Sequence, residues 1–392
     1  MQRIGIAGIG KISGIYLDNL TGMFSRRVKV TAVTDIIADR AKKAAEDYKI
    51  KAFSSFDEMI NSGELDIVLN LTLPQFHYEL AMASVNAGKH VYNEKPLCVK
   101  REEGLRLLKA AADKKLRIGG APDTFLGPGI QTCRKLIDDG WIGRPVAASA
   151  FMLNHGPEHW HPAPEFFYKA GGGPMFDMGP YYLTALINLL GPVSRVSGSA
   201  QKGQAERLIT SEPLNGAIIN VEIPTHVAGV LDFSCGAVGV IVTSFDVWSS
   251  SMPCIEIYGT EGTLQVPDPN CFRGEVRVRR FRDENWSQIP LVMPEPDNTN
   301  INDIRNSLNN LRGIGITDMA EAIEDGRRHR ASAEMTFHVL DIMHCIHEAS
   351  AAGKYCDVQS TCERPEPLVA VCPQSNPSTK LTNFAGQTRI SC

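Results

Sequence analysis

Nothing in this 392-residue chain approaches the ~20 consecutive apolar residues of a membrane helix, because even strongly apolar runs such as residues 238–242 are soon broken by polar ones. A bilayer-spanning protein is therefore not expected. Basic excess is also missing: 40 Lys and Arg stand against 44 Asp and Glu, a net charge of −4. The chain has no surplus of cations with which to release the counterions of a nucleic acid. Cysteine is sparse for a stapled protein, with ten spread along the chain. That is neither the length nor the density of a secreted disulfide scaffold, so reduced thiols in a cytoplasmic setting are expected. A signal sequence is not expected either, since Lys11 interrupts the apolar N-terminus and no small-residue cleavage site follows. No internal repeat of solenoid period is visible.

What is present is ordinary globular material. A hydrophobic fraction of 43% and a charged fraction of 21% exclude collagen, coiled coil and wholesale disorder, and the length allows two or three domains. Residues 3–7, 29–34, 67–71, 90–92 and 117–120 read as short apolar strands, with amphipathic helices near 13–23, 38–48, 78–87 and 102–114 between them. Such alternation predicts a parallel α/β sheet with the C-terminal strand ends along one edge, where ligands bind. Beyond about residue 121 the rhythm changes. Helices are expected near 129–139, 181–190, 303–310 and 332–352, and long antiparallel strands across 193–292, including 227–233, 237–245, 254–258 and 275–281. The expected organisation is a cofactor domain over 1–122, an α+β substrate and oligomerisation domain over 123–355, and a tail over 356–392. That tail contains Cys356, Cys362, Cys372 and Cys392, whose spacings are unlike C-x-x-C pairs. They read as thiols of a disordered segment.

Three motifs carry chemistry. Gly8-Ile9-Gly10-Lys11-Ile12-Ser13 leaves the first strand and opens a helix, which is the context of a dinucleotide fingerprint. Gly8 would permit the tight turn, Gly10 would let backbone N–H groups reach a pyrophosphate, and Ser13 is small enough to pack on the sheet. Asp35, at the end of the second strand, stands where a ribose-binding carboxylate belongs. An acid there repels a 2′-phosphate, so NAD is favoured over NADP, with Arg40 five residues later as a counterweight. Next, Asn93-Glu94-Lys95-Pro96-Leu97 puts an ammonium at the same sheet edge, where Lys95 would bond a substrate hydroxyl and stabilise its oxyanion. The third motif runs through a flexible glycine loop, Gly171-Gly172-Gly173-Pro174, to Asp177 and Tyr181. Four residues apart, these two can share one helix face, and they also fit a helix cap with a core tyrosine.

In this order and spacing the three motifs resemble the Gfo/Idh/MocA family of sugar and cyclitol oxidoreductases, over about residues 1–355. The resemblance implies a Rossmann domain joined to a domain with a large, mainly antiparallel sheet. It also implies that Lys95 is the catalytic lysine, that Asp177 orients substrate, and that Tyr181 is the proton acceptor where many members have histidine. Residues 70–74, with Thr72, Pro74 and His77, would contact the nicotinamide half, and Glu94 belongs with Lys95 beside the cofactor. Asp123 lies where relatives carry an arginine-bearing segment and is expected as a polar contact only. In the loop 154–162, Trp160 would stack on a sugar ring while His155, His159 and His161 bond its hydroxyls. Two histidines at i, i+2 lack the further ligands of a zinc site, and no metal is expected there or at His344, Cys345 and His347. A homodimer or homotetramer is implied. The alternatives are a glycoside-cleaving enzyme that uses transient oxidation by retained NAD, and a sugar or NAD sensor without catalysis.

Overall fold

The structure, a computed structural model, describes residues 1–292 and 310–368. Its first sheet is parallel throughout and contains β1 (Gln2–Ala7), β2 (Val28–Thr34), β3 (Lys51–Ala52), β4 (Ile67–Asn70), β5 (His90–Asn93) and β6 (Ile118–Gly120), in the order β3-β2-β1-β4-β5-β6. Every residue of β4 is buried, as are Ile4 and Ile6 of β1, because crossover helices cover both faces. Those helices are α1 (Ser13–Thr21), α2 (Ala38–Tyr48), α3 (Phe56–Asn61), α4 (His77–Asn86) and α5 (Arg101–Asp113). Strand order reverses between β1 and β4, so the loops that leave them diverge and open a crevice. Backbone bonds continue past the strand ends: Leu71 N–H donates to Ala7 O at 2.8 Å, Glu94 N–H to Asn70 O at 2.8 Å, and Ala121 N–H to Asn93 O at 2.9 Å. The motif-bearing loops therefore begin in lateral register.

After α6 (Pro128–Asp138), β7 (Pro145–Leu153) opens a second sheet, which α7 (Gly173–Asp177) and α8 (Gly179–Leu190) separate from β8 (Val193–Gln201). β9 (Glu206–Leu208) and β10 (Ile218–Asn220) form a small ribbon of their own. β11 (His226–Phe233), β12 (Val238–Ser244), β13 (Ile255–Gly259), β14 (Gly262–Val266), β15 (Val276–Arg280) and β16 (Ser287–Ile289) follow. With β17 (Cys356–Asp357) they give a nine-stranded sheet in the order β16-β15-β14-β13-β7-β12-β11-β8-β17. Its neighbours are antiparallel except β7 and β12, which run parallel. β11 alternates strictly between buried and partly exposed residues, as a strand covered on one face should. α6, α8 and the long α10 (Ala333–Ala352) pack against the covered face, after α9 (Ile314–Asp325). Val238 and Val240 stand out from the other face.

Three expectations change. The glycine segment ahead of Asp177 is helical, because Pro174 pre-sets the first turn of α7. α9 was not anticipated: it is buried over almost its whole N-terminal half, so it lacks the two-sided periodicity by which a surface helix is recognised. The tail is packed as far as Leu368. Cys356 pairs opposite Val196 in the sheet, Cys362 is buried, and the Arg330 side chain donates to the carbonyls of Glu366 and Pro367 at 2.9 and 3.0 Å. Cys372, Cys392 and all but the last residue of the helix expected over 303–310 lie outside the described residues.

Candidate active site

The glycine turn after β1 is built as a cradle. Gly8 has φ +94°, and a Cβ there would stand 2.9 Å from the Leu71 carbonyl, so only glycine fits. Gly10 faces open space. No side chain caps the first turn of α1, which leaves backbone N–H groups there for an anion, favoured by the helix dipole. Asp35 closes the other side. Its Oδ2 accepts from Ile9 N–H at 2.6 Å and its Oδ1 from Ile37 N–H at 2.7 Å, fixing the carboxylate beside the turn. Arg40 is exposed on α2. These residues fit a dinucleotide, with an open glycine, an uncapped helix terminus and an acid positioned for a ribose hydroxyl.

At the end of β5 the buried amides of Asn70 and Asn93 bond each other at 3.2 Å, while Asn93 Nδ2 donates to Leu97 O at 2.8 Å. That pair sets the direction of the loop carrying Lys95. Lys95 Nζ donates to Asp177 Oδ1 at 2.6 Å and to the Asp177 carbonyl at 2.8 Å, and lies 5.4 Å from the centroid of the Tyr181 ring. Burial pulls the ammonium pKa down, but Asp177, Tyr181 and Glu94 outweigh it and hold the group well above the usual lysine value. Lys95 is thus a permanent cation at neutral pH. The three residues expected to act together do meet, with Lys95 reaching from the first sheet and the other two coming from α7 and α8.

Glu94 is committed to this scaffold. Its Oε1 accepts from Tyr16 of α1 at 2.9 Å and its Oε2 from Lys95 N–H at 2.9 Å. His77 is fully buried, with Nδ1 2.7 Å from Pro96 O and Nε2 3.0 Å from Thr72 O. Burial pushes its pKa down. Its ring ties the Lys95 loop to the loop after β4, where Thr72 Oγ1 donates to Asn70 Oδ1 at 2.6 Å and Pro74 starts a short 3-10 turn. Asp123, expected as a polar substrate contact, is fully buried. Its Oδ2 accepts from Gly313 and Gly315 N–H at 2.9 and 3.1 Å, capping α9, and burial lifts its pKa to about 6.

Sequence reasoning missed Arg312. Its Nη2 donates to the Tyr181 hydroxyl at 3.3 Å, and its Nη1 lies 3.7 Å from Glu94 Oε1. Burial works against its charge, but Tyr181, Glu94, Tyr16 and Asp123 hold it firmly protonated. No motif surrounds it in the sequence.

The aromatic loop divides into two parts. Trp160 is 55% exposed and its ring lies 5.6 Å below Lys11 Nζ, so it spans from the second domain to the glycine turn. His161 packs edge-on against Trp160, Phe166 and Phe167. Burial lowers its pKa, while the charges of Lys11 and Asp177 both reach it. His155 belongs elsewhere: it stacks on Trp248 at 3.3 Å, beside the buried Arg207, which pairs with Glu158 at 3.0 Å and with Asp246. His159 is exposed. On α10, His344 and His347 pack on Phe176. Cys345, Glu348 and Cys356 come together, but the Arg101 guanidinium bonds both Cys345 Sγ and Glu348, which puts a cation where a metal would have to sit.

Comparison with known proteins agrees with this geometry. Residues 2–120 match the oxidoreductase family with an NAD-binding Rossmann fold, and residues 130–265 match the GFO/IDH/MocA C-terminal domain. Inositol 2-dehydrogenase 3 of Saccharopolyspora erythraea is 28% identical over 68% of this chain and 73% of its own length. Inositol 2-dehydrogenase of Salmonella typhimurium is 30% identical over 43% of this chain and 50% of its own length. Among solved structures, an NAD binding oxidoreductase from Klebsiella pneumoniae superposes with a TM-score of 0.77 at 24% identity, over 91% of this chain and 98% of that one. Levoglucosan dehydrogenase in complex with NADH and L-sorbose gives 0.77 at 21% identity, over 92% and 99%.

Proposed function

The chain belongs to the Gfo/Idh/MocA family of NAD-binding oxidoreductases, and on that premise we propose that it moves hydride between NAD and a hydroxyl-bearing carbon of a sugar, glycoside or cyclitol. The observation that carries the reading is the Lys95–Asp177 pair, set at 2.6 Å against the Tyr181 ring at the C-terminal edge of the first sheet. Gly8, Gly10, Lys11 and Ile12 with Asp35 would hold the dinucleotide, and Thr72 and Pro74 border its far end. NAD supplies the hydride acceptor when bound.

The chain's own residues handle the proton and the charge. Tyr181 takes the hydroxyl proton as hydride leaves the same carbon, and in the reverse direction gives it back. Two of the three ammonium protons of Lys95 are spent on Asp177, which leaves one for the substrate oxygen, where it stabilises the developing oxyanion. Asp177 keeps Lys95 charged and accepts from a neighbouring substrate hydroxyl, fixing the ring's rotation. Trp160 offers an exposed aromatic face for the ring's C–H side, with His161 at its edge and the exposed His159 next to it in the chain. Substrates are polyhydroxylated rings, supported by the inositol and levoglucosan dehydrogenases among the relatives. The unpaired thiols of the eight described cysteines fit a cytoplasmic enzyme, and the open face of the nine-stranded sheet with Val238 and Val240 is a suitable surface for a homodimer or homotetramer.

The test is absorbance at the reduced-nicotinamide band while monosaccharides, inositols and glycosides are screened with NAD. Net NADH formation from a ring polyol is expected. Glycoside breakage without net NADH would replace this reading with the internal-redox one, and tight binding of NAD and sugar with no redox change in either direction would overturn it in favour of a sensor.

A further inference from the structure

We propose that Arg312 is a positioning residue of this site, holding the Tyr181 hydroxyl and stabilising the phenolate that takes the substrate proton. The proposal rests on the reading of Tyr181 as the proton acceptor. A tyrosine in water ionises near pH 10 and is a weak base at neutral pH, so a base of this type depends on cations at its oxygen. Lys95 is a cation close by, yet its ammonium is bonded to Asp177 and meets the face of the Tyr181 ring. Arg312 is the cation that bonds the hydroxyl itself.

Arg312 is buried, and its position is fixed from three directions. Asn19 of α1 donates from Nδ2 to the Arg312 carbonyl at 2.8 Å and to the Asn310 carbonyl at 2.9 Å. Asn310 Oδ1 accepts from Arg312 N–H at 3.3 Å. The next turn is held by the two glycine N–H bonds to Asp123. Despite this anchoring, Nη1 has no hydrogen-bond acceptor among the described residues, and Glu94 reaches it only at 3.7 Å. A buried guanidinium left partly unsatisfied is a costly feature for a purely structural residue, whereas one bonded through Nη2 to a hydroxyl that becomes anionic has that bond strengthened in the reactive state.

Among the described residues, the charges around the phenol are these. Lys95 is balanced by Asp177, and Glu94 is engaged by the Tyr16 hydroxyl and the Lys95 amide. Asp123 lies behind Arg312 with its carboxyl bonded to glycine amides. None of the acids bonds the Tyr181 oxygen, so Arg312 sets its local field. In the step itself the substrate O–H bond breaks and an O–H bond forms on Tyr181, while the C–H pair of the same carbon passes to NAD. Arg312 stays protonated throughout. It changes the charge on the base, not the proton inventory.

The experiment uses the full-length enzyme with Arg312→Gln and Arg312→Lys, with Tyr181→Phe as reference. Phenolate absorbance is followed against pH in the absence of sugar, and subtraction of Tyr181→Phe isolates one tyrosine. Burial raises the ionisation of Tyr16, Tyr92, Tyr168 and Tyr182 above the ordinary tyrosine value. The isolated midpoint is expected to rise in Arg312→Gln, which loses the cation bonded to the phenol oxygen. The acidic limb of kcat should move with it, while NAD affinity holds and Arg312→Lys recovers part of the shift. An unmoved midpoint in folded Arg312→Gln overturns the proposal, as does a kcat loss without a titration shift. Should Arg312→Gln fail to fold, Arg312→Lys decides by the same criterion, because lysine keeps the charge but not the reach. The titration needs no substrate, so it stands apart from the sugar screen: a wild type that oxidises no polyol would refute the function, and an unmoved tyrosine would refute the role of Arg312.

Discussion

Replacing Lys95 with methionine removes the ammonium but keeps a long unbranched chain, and the structure allows its two consequences to be separated. The first is catalytic. On the proposed function the lost group would supply the cation at the reacting oxygen and half of the proton-transfer unit, roles worth about 10²–10⁴ in rate, or roughly 3–5 kcal/mol of barrier. The second is structural. Asp177 loses the donor at 2.6 Å to its Oδ1 and the donor at 2.8 Å to its carbonyl, and the partly buried carboxylate is left without its cation, at a cost of about 1–3 kcal/mol. A stopped-flow or steady-state assay of NADH formation should show kcat lowered by about a thousandfold, with NAD dissociation unchanged because the glycine turn and Asp35 do not touch this pair. Melting should fall by a few degrees. The double variant Lys95→Met/Asp177→Asn removes both charges, so it should regain the melting temperature but none of the rate. Full turnover in Lys95→Met would refute the assignment. Rate recovered together with stability in the double variant would do the same, since it would make the lysine a structural tie.

Two further outcomes follow from other parts of the molecule. Asp35→Ser takes away the carboxylate proposed to read the ribose, so the NADP-to-NAD ratio of kcat/KM should rise by about tenfold or more, with Arg40 available to a 2′-phosphate; an unchanged ratio would show that Asp35 does not read the cofactor. His338 concerns stability. It is fully buried, and its Nε2 accepts from Val193 N–H at 3.0 Å while Nδ1 meets Ser360 Oγ at 2.8 Å. Burial lowers its pKa to about 4. The unfolded chain takes up the proton near pH 6.5 and the native state resists it, so stability from this group is whole above about 6.5 and is lost as pH falls toward 4, by up to about 3 kcal/mol. Urea midpoints across that range should flatten in His338→Asn, and an unaltered slope would exclude His338 as the source.

Much of the first domain could be read from the chain because its signals are local. A strand, a glycine turn and a helix N-terminus occupy a dozen consecutive residues, and Asp35 ends the next strand, so spacing alone places them at one edge. Lys95 and the Asp177–Tyr181 pair were legible as motifs, although the segment before Asp177 folds as helix because Pro174 outweighs the glycines. Arg312, Tyr16 and the capping role of Asp123 were not legible. Each depends on contacts between segments far apart in sequence, such as the Asp123 carboxylate on Gly313 and Gly315, and no periodicity or turn chemistry near them reports it. α9 was hidden for the related reason that a helix buried on most sides has no polar face to mark its period.

The same long-range character explains why the charges of the site form one unit. Lys95 and Asp177 are 82 residues apart, and Tyr181 and Arg312 are 131 apart, so loops from the first sheet, α7 and α8 beside the second sheet, and the turn into α9 must all be in place before the phenol has its cations. The dinucleotide cradle needs only the first sheet. A substitution that loosens the packing between the sheets should therefore weaken the base before it weakens NAD binding, and Asn19 is the place where this separation is sharpest. Its amide clamps the carbonyls on both sides of Leu311 from α1, about two helix turns beyond the cradle, so its loss would release Arg312 while the glycine turn and Asp35 remain as they are.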